Sequence, residues 1–128
     1  PFTVTSEMLE AAKAAKRREI EAWRTEQEAQ PFIFEWNGHS WNGGPDSMAR
    51  LYPVAMASKS DTARDVMTWG DAENQQVKLS MQQLDELLTA MVQAQVDRND
   101  EIYRRQREMK EALNTLKDLS SIRKLAIN

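Results

Sequence analysis

The chain has no cysteine, one histidine, four glycines and four prolines in its 128 residues. Without cysteine, disulfide bonds and thiolate nucleophiles are excluded, and zinc loses its commonest structural ligand. With His39 as the lone imidazole, no site can use two of them. No apolar run approaches the roughly 18–20 residues that a membrane span needs. The first residues, PFTVTSEML, lack the basic-then-apolar layout of a secretory leader. These absences lead us to expect a soluble protein of the cytoplasm, with Pro1 fitting removal of an initiator methionine. Excess positive charge is also missing. A net charge of −3 gives no bulk attraction to nucleic acid or to an anionic membrane. Gly43-Gly44 runs into Pro45 with no lysine after it, so it is not a phosphate loop.

What is present suits helices. Charged residues make up 29% of the chain and apolar ones 41%. Ordinary domains have about 25% and about 45–50%. A chain of this length forms one small domain, burying roughly two thirds of the surface it exposes unfolded.

Local signals are densest from Val66 to Leu88, VMTWGDAENQQVKLSMQQLDELL. Val66, Thr68 and Trp69 form a strand, and Gly70, Asp71 and Asn74 mark a turn. Val77 and Leu79 resume the apolar alternation. Ser80 and Gln83 fit a capping box, and Leu79 and Leu84 occupy the staple positions around it. Earlier in the chain, Thr5 or Ser6 can cap a helix reaching about Glu28, which Pro31 ends. Phe32–Trp41 reads as a hairpin closed by Asn37-Gly38, the favoured type I′ dipeptide. That turn sets Trp36 opposite His39 and Phe34 opposite Trp41, with all four rings on one face. Gly43-Gly44-Pro45 reads as a loop, and Asp46 or Ser47 as the cap of a short helix that Pro53 should kink or shorten. Lys59–Arg64 reads as a loop.

A last helix is expected from Met81 to about Leu125, roughly 65 Å long at about 1.5 Å per residue. Its first third is apolar through Leu84, Leu87, Leu88, Met91, Val92 and Val96. Beyond it, Gln95, Asn99, Ile102, Gln106, Met109, Leu113 and Leu116 form a heptad seam with polar residues in its middle. We expect this seam to be an oligomer or partner interface. The alternative is a helical hairpin breaking near Asp97–Asp100.

Candidate sites each have a plain structural reading. The aromatic face of Phe34, Trp36, His39 and Trp41 could hold a sugar ring, but rings at strand spacing are usually core. Asp71, Glu73 and Asn74 are oxygen-rich, yet lack the alternating ligands and distal glutamate of a calcium loop. Lys13, Lys16, Arg17, Arg18 and Arg24 cluster on the first helix, and Arg98, Arg104, Arg105, Arg107 and Lys110 on the last. Acids interleave both clusters, the pattern of a solvated helix face. Nothing points His39 at a serine nucleophile, so we expect no enzyme and no cofactor.

Four segments together resemble a known family: AAKAAKRREIEAWR at 11–24, FEWNGHSWNG at 34–43, DSMARL at 46–51 and TWGDAENQQVKL with the leucine-rich helix to 88. The chain is similar to bacteriophage tail-associated proteins classed as domain of unknown function four-three-seven-six, whose members are encoded near tail-fibre genes. The resemblance covers about Ala11 to Val96 and supplies no catalytic residues. It implies that Trp36 and Trp69 are core anchors and that Gly38, Gly70 and Asn74 are turn residues. The charged helix beyond Val96 departs from the shorter ending expected of the family.

These readings combine into an α+β fold. Two small β-hairpins and a short helix are flanked by a long N-terminal helix and a longer C-terminal helix with coiled-coil character. The expected divisions are 1–30, 31–96 and 97–128, with Phe34, Trp36, Trp41, Trp69, Leu79 and Leu84 in the core. The expected function is a non-enzymatic tail or baseplate component that attaches, braces or caps a tail fibre or receptor-binding protein. It would reside in the virion tail, and in the host cytoplasm during assembly. Its partners would be tail-fibre, receptor-binding or baseplate proteins and further copies of itself, a trimer being favoured by fibre symmetry. The alternatives are a tail-fibre assembly chaperone and a small regulator binding nucleic acid or a host factor.

Overall fold

The structure, a computed structural model, describes residues 3–57 and 66–128. Pro1 and the expected loop at Lys59–Arg64 lie outside them. In chain order the elements are α1 (Ser6–Ala29), β1 (Phe32–Trp36), β2 (His39–Gly43), α2 (Pro45–Ala57), β3 (Val66–Gly70), β4 (Gln76–Ser80), α3 (Met81–Thr115) and α4 (Leu119–Lys124). The fold is α+β with two antiparallel hairpins and long N- and C-terminal helices. The chain divides into two compact units, one of residues 29–98 and one of 1–28 together with 99–128.

In the mixed unit, β1 pairs with β2 in the register set by the turn, Phe34 opposite Trp41 and Trp36 opposite His39. Asn37 and Gly38 both take positive φ, 52° and 76°, as a type I′ turn requires. β3 and β4 pair likewise, with Trp69 opposite Val77. The capping box forms as the sequence suggests. The Ser80 N–H donates to Gln83 Oε1 at 2.9 Å, and the Gln83 N–H donates to Ser80 Oγ at 3.1 Å. Leu79 and Leu84 are both fully buried in one cluster with Trp41, Leu51, Ala55, Leu87, Leu88 and Met91.

The short helix begins earlier than expected. Gly44, not Asp46 or Ser47, holds the cap position, and its carbonyl accepts from the Met48 N–H at 3.0 Å. Pro45 takes the first helical position, where its missing N–H and fixed φ cost nothing. Gly44 is required there: its φ is +110°, and a Cβ would lie 3.0 Å from Pro31 Cα. α2 also runs through Pro53 to Ala57.

In the helical unit, Thr5 caps α1, its Oγ1 accepting from the Met8 N–H at 3.2 Å. The last helix runs continuously through Asp97–Asp100, as expected and against the hairpin alternative, but one expectation is corrected: α3 stops at Thr115 instead of reaching Leu125. The cause of the stop is local. Asp118 takes an extended conformation and caps α4, its carboxylate accepting from both the backbone and the hydroxyl of Ser121. The turn lets Leu119 and Ile122 become buried, Ile122 in a cluster with Ile20, Met109 and Leu113.

Candidate functional site

In the mixed unit the aromatic face is largely core. Trp41 is 1% exposed, and its Nε1 donates to the Trp36 carbonyl at 2.8 Å. That bond satisfies the polar end of a buried indole. Phe34, Trp36 and Trp69 are partly buried and pack against the same cluster. The Trp41 ring lies 6.0 Å from that of Trp36 and 5.7 Å from that of His39, both tilted.

Asp71 fastens the second hairpin to the first. Its Oδ1 accepts from the N–H groups of Glu73 and Gln75, at 2.9 and 2.8 Å, and closes the loop between β3 and β4. Its Oδ2 lies 3.1 Å from His39 Nδ1. Beside this, the Ala72 N–H donates to the Ser40 carbonyl at 2.8 Å. Asn74 completes the turn at φ 62°. Burial pushes the Asp71 carboxyl up, but the Gln75 N–H, the His39 ring and the Glu73 N–H outweigh it. The group is held below its ordinary value of 3.8. Its oxygens are therefore occupied by donors, which makes the loop a clasp and not a cation cradle. Among the described residues, no group of three or more His, Cys, Asp or Glu side chains could hold a metal ion.

A recess opens in the same unit where β2, α2, β3 and α3 converge. Its volume is about 250 Å³, and Trp41, Asn42, Ser47, Arg50, Trp69, Gly70 and Met91 line it. Arg50 Nη2 donates to Ser47 Oγ at 3.4 Å, one turn earlier on α2. The expected aromatic candidates predict only part of this site. Trp41 belongs to it, whereas Asn42, Ser47 and Arg50 stood within the family-like segments and Met91 only in an apolar stretch of helix. Their convergence depends on how α2 and α3 pack, and no local spacing encodes that.

In the helical unit several residues expected at the heptad seam are covered from within the chain. Ile102 is 6% exposed, Gln106 5%, Met109 1% and Leu113 0%. Met109 and Leu113 pack with Ile20 of α1 and Ile122 of α4, and Leu116 packs against that cluster. The buried Gln106 amide is satisfied by Arg24 Nη1, which donates to its Oε1 at 3.1 Å. Lys110 meets Glu21 at 3.3 Å, so α1 and α3 run antiparallel. Lys16 Nζ donates to the Arg123 and Leu125 carbonyls at the end of α4. From Gln106 to Leu116 the seam thus packs on the chain's own α1 and α4. Asn99, also placed on the seam, is half-buried, and Gln95 in the mixed unit is half-buried too.

The basic clusters are laced with acids on the same helix. Arg24 meets Glu28 at 2.6 Å, Arg104 meets Glu108 at 2.9 Å, and Lys16 meets Glu19 at 3.2 Å. Such pairs are the neighbours that helical spacing provides. No described helix is long and apolar enough to cross a membrane.

A family model described as Domain of unknown function (DUF4376) matches residues 11–125. Comparison with curated proteins and with solved structures gives no match.

Proposed function

This chain belongs to the DUF4376 family, and from that membership, with its resemblance to tail-associated phage proteins, we propose that it is a non-enzymatic structural component of a bacteriophage tail or baseplate. It attaches, braces or caps a tail fibre or receptor-binding protein. One observation carries the reading: the segments that bear the resemblance build the scaffold. Phe34–Gly43 forms the first hairpin, with Trp36 against the core and Gly38 in its turn. Thr68–Leu88 forms the second hairpin and the capped start of α3, with Trp69 against the same core. Residues of this kind specify a rigid body that displays surfaces to a partner. The filled seam supports docking through other faces, because Ile102, Met109 and Leu113 are already covered.

Quantitative mass spectrometry of purified virions from the encoding phage tests the reading. We expect the chain in fixed stoichiometric ratio to the tail-fibre protein. Abundance in the lysate together with absence from mature particles would overturn it in favour of an assembly chaperone. Binding to duplex DNA that weakens steeply with salt would instead indicate a regulator.

A further inference from the structure

The recess of the mixed unit is built from rigid parts. Trp41 and Met91, 1% and 2% exposed, form its floor. Trp41 is pinned through its Nε1 to the Trp36 carbonyl. Ser47 is buried on the first turn of α2 and accepts from Arg50 Nη2 at 3.4 Å. Among the described residues, half-buried Trp69 and exposed Arg50, Asn42 and Gly70 also line it. Apolar surface and polar side chains therefore share one opening.

We infer that this recess binds a single acidic monosaccharide. The C–H face of a pyranose is apolar and packs on an indole, as Trp69 offers. A ring carboxylate accepts two parallel hydrogen bonds from a guanidinium, the geometry in which arginine exceeds lysine. The Asn42 amide both donates and accepts, and the Ser47 hydroxyl does the same, which suits neighbouring sugar hydroxyls. Size narrows the ligand further. A volume of about 250 Å³ lies below the roughly 300–1,000 Å³ of sites for drug-sized ligands, which suits a ligand of one ring. A bare inorganic anion leaves the indole and the Met91 floor unmatched. A neutral sugar leaves the guanidinium without its carboxylate. Sugar binding here is independent of the tail assignment, and a virion lacking the chain would leave it standing.

The test titrates the full chain with glucuronate, glucose and acetate, read by calorimetry and by tryptophan fluorescence. A ring of this size with few contacts should bind glucuronate with a Kd of about 1 mM. Glucose should bind about tenfold more weakly, and acetate should not compete. Arg50→Gln should lower glucuronate affinity about tenfold and leave glucose unchanged. Arg50 is exposed, so the variant should keep its far-ultraviolet circular dichroism. Trp69→Phe, which retains an aromatic wall, should weaken both sugars by a smaller factor. Three results would each overturn the inference: no saturation by glucuronate at about 20 mM, acetate competing as well as glucuronate, or Arg50→Gln binding all three like the parent chain.

Discussion

The two units solve the problem of a small core in opposite ways. Residues 29–98 bring six neighbouring elements onto a cluster that includes Trp41, and the hairpins close over a few residues each. The helical unit instead joins residues from the two ends of the chain, Ile20 with Met109, Leu113 and Ile122, around an aliphatic core. Its polar ties are side chains reaching across helices, Arg24 to Gln106 and Lys16 to the end of α4. In the mixed unit the comparable ties are backbone ladders and the Asp71 clasp. Each unit has an aspartate whose carboxylate accepts from backbone N–H, Asp71 buried and Asp118 exposed. One chain therefore places its local turn chemistry in one unit and its long-range closure in the other.

The largest expected effect breaks the helical unit. Met109→Asp puts an unpaired carboxylate into a site 1% exposed, and should cost about 5 kcal/mol. A urea titration should show the midpoint falling sharply. If the midpoint holds and only the mass by light scattering changes, the seam is intermolecular after all. The corresponding break in the mixed unit is Trp41→Ala, expected to cost about 3–5 kcal/mol by the same titration. An unchanged midpoint there would remove Trp41 from its core.

Acid sharpens the comparison of the two aspartates. Asp71 is held below 3.8, so its contribution is complete above that pH and is lost as pH falls through its lowered folded value. Asp118 is displaced in the same direction, chiefly by its hydrogen bond from the Ser121 hydroxyl. Stability measured from pH 7 to pH 2 should therefore fall below about 4. Asp71→Asn should lower stability at pH 7 and flatten that fall. If the variant titrates like the parent, the clasp does not carry the acid sensitivity. The smallest expected change is Ser80→Ala, which removes half of the capping box and should cost about 1 kcal/mol. Thermal unfolding alongside Gln83→Ala would show whether the two side chains act together.

Much of the mixed unit could be read without the structure because its signals are local. Asn37-Gly38 fixes a turn and hence a register, and Ser80 with Gln83 fixes where α3 begins. Reading was poorer where one residue serves two purposes. Pro45 looked like a loop residue and proved to be the first residue of α2. Asp118 falls inside the helix expected to reach Leu125, yet its bonds to Ser121 start α4. Aromatic spacing pointed to Trp41 and missed Arg50, whose place in the recess follows from the packing of α2.

The sequence by itself determined the two hairpins, the register of the first and the capping of α3, because backbone sterics and side-chain hydrogen bonds act over a few residues. It also determined that Ile102, Met109 and Leu113 would be covered, because apolar residues at heptad spacing form a continuous stripe. Only the tertiary structure decided what covers them. A stripe is equally satisfied by a second copy, a partner or the chain's own α1. Hydrophobic burial is non-directional, so the pattern specifies that contact occurs without specifying with what.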